Sequence, residues 1–102
     1  MSKPRFVDMG DLEETASTDP VEVSGLESFS VTVGGTFVGT YSIEVSMDGT
    51  TFVVHPSASA KTAPFVLDIA ANTYKQVQVT CSAYTSGTIK CLLGGRDADL
   101  RG

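Results

Sequence analysis

Apolar and polar residues alternate along most of the chain, starting at Val21. Val21 and Val23 are followed by Phe29, Val31 and Val33, with Glu22, Ser30 and Thr32 between them. A period of two sends successive side chains to opposite faces of a strand, so the pattern predicts β-structure with one face buried. Gly34-Gly35 interrupts it. A longer segment then places Tyr41, Ile43, Val45 and Met47 on one face and Ser42, Glu44 and Ser46 on the other. In Met47-Asp48-Gly49-Thr50 the Asp-Gly pair suits the positive φ values of a tight turn, which predicts a hairpin before Phe52 and Val54 resume the alternation.

Pro56 to Thr62 is small and polar and is followed by Pro64, which predicts a surface loop. Phe65, Leu67 and Ile69 form another short strand. Val77, Val79 and Cys81 then alternate with Gln76, Gln78 and Thr80, and Ser86-Gly87 reads as the turn that folds this strand against the last one. In that last strand Ile89, Cys91 and Leu93 share a face, Leu92 is apolar on the opposite face, and Gly94-Gly95 marks the end. Six to seven short strands at roughly 8 to 12-residue intervals, with no helix, predict an all-β antiparallel β-sandwich or small barrel.

Residues 1–20 lack this periodicity and mix small, acidic and proline residues, which predicts an extended N-terminal arm. The division is then an arm over 1–20, a β-sandwich domain over 21–95 and a short tail over 96–102. With 102 residues, 41% hydrophobic and 19% charged, the chain suits one packed core. No stretch approaches the roughly 18 to 20 apolar residues that span a bilayer, and no basic segment leads into an apolar run at the N-terminus, so neither membrane insertion nor export is expected. Two cysteines fall short of the density of small secreted scaffolds, which favours an intracellular assembly compartment.

The net charge of -5 is unevenly placed. Asp8, Asp11, Glu13, Glu14, Asp19, Glu22 and Glu27 stand against Lys3 and Arg5 and account for all of it. Between residues 28 and 95, Glu44, Asp48 and Asp68 are offset by Lys61, Lys75 and Lys90, so no strong like-charge field opposes contact between copies. Clustered Lys and Arg are missing, which argues against nucleic acid as a partner.

The residues that usually carry chemistry offer little. His55 is the single histidine, at a strand end before Pro56, with no Ser, Cys or acid at a catalytic spacing. A hairpin centred near Ser86 would set Cys81 opposite Cys91 on the inward face, as buried free thiols or as a cross-strand disulfide. Together with one distant histidine they do not complete a zinc sphere. Asp48 is explained by its turn, and Glu44 and Asp68 by solvated strand faces. The glycine pairs open onto no helix that would bind phosphate. The sequence therefore predicts no catalytic residue, cofactor or metal, and no enzyme.

Phe37-Val38-Gly39-Thr40-Tyr41-Ser42-Ile43-Glu44-Val45-Ser46-Met47-Asp48-Gly49-Thr50-Thr51-Phe52, followed by Tyr74-Lys75-Gln76-Val77-Gln78-Val79 and Tyr84-Thr85-Ser86-Gly87-Thr88, resembles small β-sandwich structural proteins of tailed bacteriophages. Relatives of that type often carry Trp where this chain has Phe52 and Arg where it has Gln78. The resemblance implies a virion component assembled in the host cytoplasm: a capsid decoration or cement protein that binds the major capsid protein of an assembled shell. It implies a homo-oligomer, trimer or dimer, and no active site. Candidate contact residues are Phe6, Val7, Met9 and Leu12 in the arm, with Phe37, Val38 and Leu92 on the body. The alternatives are a head-tail joining or tail accessory protein, or a carbohydrate or host-surface binding module using Tyr74 and Tyr84.

Overall fold

The computed structural model describes residues 4–97. Its strands, in chain order, are β1 (Pro4–Leu12), β2 (Val21–Glu22), β3 (Leu26–Gly34), β4 (Phe37–Ser46), β5 (Val53–Val54), β6 (Phe65–Ile69), β7 (Gln76–Gly87) and β8 (Ile89–Asp97), with one short 3₁₀ turn at Pro56–Ala58. They form two four-stranded antiparallel sheets, β1-β8-β3-β6 and β2-β7-β4-β5, so the chain is an all-β sandwich. Inward residues of both sheets make one core, with Phe29, Val31, Val33, Ile89, Cys91 and Leu93 from the first and Tyr41, Ile43, Val45, Val77, Val79 and Cys81 from the second. Every one of these positions lies on a face that the alternation assigned to the interior.

The expected arm is extended, but from residue 4 it is part of the body. β1 pairs with β8 from Pro4–Arg96 to Leu12–Ile89, and Met9 and Leu12 are buried in the core. A bulge between Asp8 and Gly10 hides the periodicity: Met9 is the extra residue, Gly10 takes φ 103°, and the Gly10 N–H donates to the Asp8 carboxylate at 2.9 Å. The extra residue lets Val7, Met9 and Leu12 all point inward at irregular spacing. The chain then runs beside β7, where the Thr18 and Cys81 amides donate to the Val79 and Ala16 carbonyls at 2.9 and 2.8 Å, and Thr18 is buried. β1 and the two-residue β2 raise the strand count to eight. Arg96 and Asp97 complete β8, and the remainder of the predicted tail lies outside the described residues.

The predicted Ser86-Gly87 hairpin is also corrected. β7 lies in the second sheet and β8 in the first, so the chain changes sheets at Gly87 rather than pairing with itself. Only β4–β5 joins neighbours within one sheet. That connection is the Asp48-Gly49 turn, with Gly49 at φ 82°. β5 begins at Val53, so Phe52 stays in the turn and Val53, not Val54, stands opposite Val45; Met47, just past the end of β4, is exposed.

Because Leu12 is core and Phe6 is surface, Leu12→Ala should cost about 2 to 5 kcal/mol in urea unfolding while Phe6→Ala stays within about 0.5 kcal/mol of wild type. A detachable arm would show no such difference.

Candidate functional site

The two outer faces of the sandwich differ in chemistry, and the difference follows from which residues alternate outward. On the second sheet, Val38 at one end apart, the outward positions of β4 and β7 are mostly polar, and those at its centre satisfy one another. The Glu44 carboxylate accepts from Gln78 Nε2 at 2.6 Å and from the Thr80 hydroxyl at 2.9 Å. Thr80 also shares a hydrogen bond with Ser17 at 2.8 Å, and Gln76 Nε2 donates to Glu22 at 3.3 Å. Such a ladder faces water at little cost and has little left to offer an apolar partner.

The outer face of the first sheet is open and partly apolar. Its register sets Phe6, Gly94, Ser30 and Asp68 in one row across β1-β8-β3-β6, and Asp8, Leu92, Thr32 and Val66 in the next. Phe6 is 81% exposed, Val66 51% and Leu92 48%. The Phe6 ring lies over Gly94, where an added Cβ would meet its Cδ1 at 3.3 Å. Hollows of about 410 and about 720 Å³ flank the ring. The smaller has Ser28, Ser30, Asp68 and Arg96 in its walls, and the larger has Thr32 and Leu92. Ser30 donates to Asp68 across this face.

The structure separates the seven contact residues expected from sequence. Phe6 and Leu92 share the open face. Val7 packs against the core, and Met9 and Leu12 are buried within it, so neither of the last two can touch a partner. Phe37 is half-buried, edge-on to Tyr41 at 5.8 Å, and Val38 is exposed beside a bulge opposite Ser86, away from Phe6. Val66, Gly94 and Ser30 escaped the sequence reading. Gly94 carried the one usable signal, since a glycine inside a strand marks a close approach, yet it reads equally well as a strand terminator.

The remaining candidates have structural partners. His55 Nδ1 accepts from the Ser57 N–H at 3.1 Å and caps the 3₁₀ turn. The Tyr84 hydroxyl donates to the Gly87 carbonyl at 2.6 Å, and Tyr74 packs on the core with its ring edge-on to His55. Cys81 and Cys91 are buried and free, on different sheets: Cys81 pairs with Tyr41, and Cys91 with Gly10 and Val33. They are therefore not cross-strand partners, because the hairpin that would oppose them does not exist. Burial pushes the Cys91 thiol up to about 12, helped by the nearby Asp11 and Asp8 charges. The Asp48 carboxylate accepts from the Thr51 and Thr50 amides, both at 2.8 Å, and from the Ser46 hydroxyl at 3.0 Å, which together hold it down at about 2. Among the described residues no group of three or more His, Cys, Asp or Glu is placed to hold a metal, and no helix is long and apolar enough to cross a membrane.

No family model and no curated protein matches the chain. Among solved structures, the SPBc2 prophage-derived protein YomS superimposes with a TM-score of 0.72 at 8% identity, over 95% of this chain and 96% of that one. At that identity the likeness shows a shared fold. A structure of Bacillus endospore appendages, described as disulfide-linked pili, gives a TM-score of 0.48 at 16% identity over 96% and 87% of the two chains. The C-terminal CBM6 of LamC from Zobellia galactanivorans gives 0.41 at 11% identity over 91% and 99%.

Two outcomes follow from these environments. In native protein near pH 8 neither thiol should react with a disulfide reagent, and both should react once denaturant unfolds the chain; rapid native labelling would contradict the burial. Asp48 is held below its ordinary value of 3.8. Its contribution to stability is therefore present above about pH 4 and lost as pH falls from about 4 to about 2. Asp48→Asn should be less stable than wild type at neutral pH, and the gap should narrow over that window in chemical denaturation.

Proposed function

We propose that the chain is a non-enzymatic structural protein of a phage virion that binds and stabilises an assembled capsid, in the manner of a decoration or cement protein, through the outer face of its first sheet. The observation that carries this reading is the inequality of the two outer faces. One is a closed polar ladder, while the other presents Phe6, Leu92 and Val66 on a floor of Gly94, Ser30 and Thr32. Exposed apolar surface with small residues around a projecting ring is the kind of surface a protein partner covers, and aromatic anchors dominate such contacts. The phage-like sequence pattern and the fold shared with the prophage-derived YomS support a virion setting.

A shell partner also suits the chemistry around the ring. A face holding Asp8, Asp68, Lys90 and Arg96 together presents both signs of charge, as a rim that orients docking would. The major capsid protein of the same virion is the partner this reading names.

One observation favours a second reading, a carbohydrate or host-surface binding module. Phe6 with Ser28, Ser30, Asp68 and Arg96 around one hollow joins an aromatic platform to hydrogen-bonding groups. The same face would serve, so the experiment must separate the two.

The test is co-sedimentation with assembled capsids, free coat subunits as the control, and a glycan array in parallel. Wild type should pellet with shells and not bind free subunits, and Phe6→Ser should weaken shell binding by about 10-fold to 100-fold, since burying such a ring contributes about 1.5 to 3 kcal/mol. Saturable glycan binding lost in Phe6→Ser would replace the capsid reading with the second one. Shell binding unaffected by Phe6→Ser and Leu92→Ser together would remove the face from consideration.

A further inference from the structure

Alternation assigns Met47 to the interior, and the β4–β5 register adds Val53, where the sequence pattern favours Phe52 and Val54. Met47 continues the series Tyr41, Ile43 and Val45, and Val53 pairs with Val45 across the β4–β5 ladder, so both side chains share the buried face. Yet Val45 is buried whereas Met47 is 69% and Val53 61% exposed. The cause is missing coverage. These residues, with Tyr74, His55 and Asp48, line a cavity of about 400 Å³ to which no strand of the first sheet contributes. The second sheet thus overhangs the first, and its last layer of interior side chains faces no opposing sheet.

The charges around this overhang are paired in sign. The Asp48 carboxylate sits in the turn beside Met47 and is held ionised by the amides of Thr50 and Thr51. Lys75 crosses the same turn, its Cε lying 3.3 Å from where a Cβ on Gly49 would be, and it borders Met47 in the adjoining hollow. An acid on the cavity side and a base in the adjoining hollow therefore flank one exposed apolar side chain.

We infer that the overhang is a self-association surface at which two copies meet end to end about a two-fold axis, Met47 of each entering the cavity of the other. A two-fold contact uses one patch twice and must complement itself. This patch does so: it carries a knob and a hole, and pairing brings Asp48 of each copy toward Lys75 of its mate. A partner with a single sign of charge would meet one favourable and one repulsive group. An apolar centre with a charged rim is the usual order of a protein contact. The patch is small beside the roughly 800 Å² per partner of a stable complex, so the dimer is weak and reversible. The inference uses a surface other than the Phe6 face and stands whether or not that face binds a shell.

The test is sedimentation equilibrium on the full chain from about 10 μM to about 1 mM, where an interface of this size should populate the dimer. Wild type should fit a monomer–dimer equilibrium, Met47→Asp should weaken it at least about tenfold by placing a charge in the apolar centre, and Lys75→Glu should weaken it by opposing Asp48 of the mate. Phe6→Ser should leave it unchanged, which separates this surface from the proposed shell contact. Thermal unfolding of each variant checks folding, and should Met47→Asp prove unstable, Lys75→Glu decides. A chain that stays monomeric at about 1 mM, a dimer indifferent to both overhang substitutions, or assembly beyond a dimer would overturn the inference.

Discussion

At the point where β7 becomes β8 there is no room for a side chain. A Cβ on Gly87 would lie 2.2 Å from the Thr36 carbonyl oxygen and 2.6 Å from the Phe37 Cα, and the residue takes φ 90°. Gly35 mirrors it at φ 93°, its Cβ position 2.4 Å from the Thr88 carbonyl oxygen. The Thr88 N–H donates to the Thr36 carbonyl at 2.8 Å and ties the two crossings together. Two connections thus pass from sheet to sheet side by side, each leaning on the other's backbone, as only glycine allows at that distance and φ. The four strands they join, β3 to β4 and β7 to β8, are the central strands of the two sheets. β1 and β6 are hung on the outside of the first sheet and β2 and β5 on the outside of the second.

This constraint explains what was legible in the sequence. Alternation reports which face a residue occupies, and it assigned Tyr41, Ile43, Val45, Val77, Val79, Cys81, Ile89, Cys91 and Leu93 to the interior, where they are. It does not report which strand lies alongside. Ser86-Gly87 therefore read as a hairpin, because a turn that returns to the same sheet and one that crosses to the other both call for glycine at positive φ. Met47 shows the opposite limit: its phase is right, but coverage depends on where the other sheet ends. In β5 the phase itself differs by one residue, because Val53 and not Val54 stands opposite Val45 once Phe52 is taken up in the turn. β1 was obscured by one inserted residue, since a bulge at Met9 destroys the period on which strand recognition rests.

The candidate face was half legible for the same reason. Phe6 and Leu92 stand out in a sequence as apolar residues without an interior phase. Their meeting across Gly94 depends on β1 and β8 being neighbours, a pairing that links the two ends of the described chain. Val66 joins them only because β3 brings β6 into the same sheet. No local pattern carries contacts of such long sequence separation.

How the molecule treats its sheet edges decides which kinds of assembly remain open to it. An edge strand offers unpaired amides and carbonyls to any extended chain, and four edges are present here. β1, the longest, is bent at its middle by the Met9 bulge and carries Arg5, Asp8 and Asp11. β6 is five residues long and follows Pro64, which has no amide hydrogen to donate. β2 and β5 are two residues each, and Ala16 to Thr18 continue the β2 side of β7 only through isolated backbone contacts with Val79, Thr80 and Cys81. Strand addition is therefore discouraged at every edge by length, bulge or proline. What remains attractive is side-chain surface, and two such places differ in origin: a sheet face whose outward positions are partly apolar, and a sheet end whose inward positions outrun their cover. A body that closes its backbone edges while leaving side-chain patches open associates by shape and register rather than by indiscriminate β-pairing.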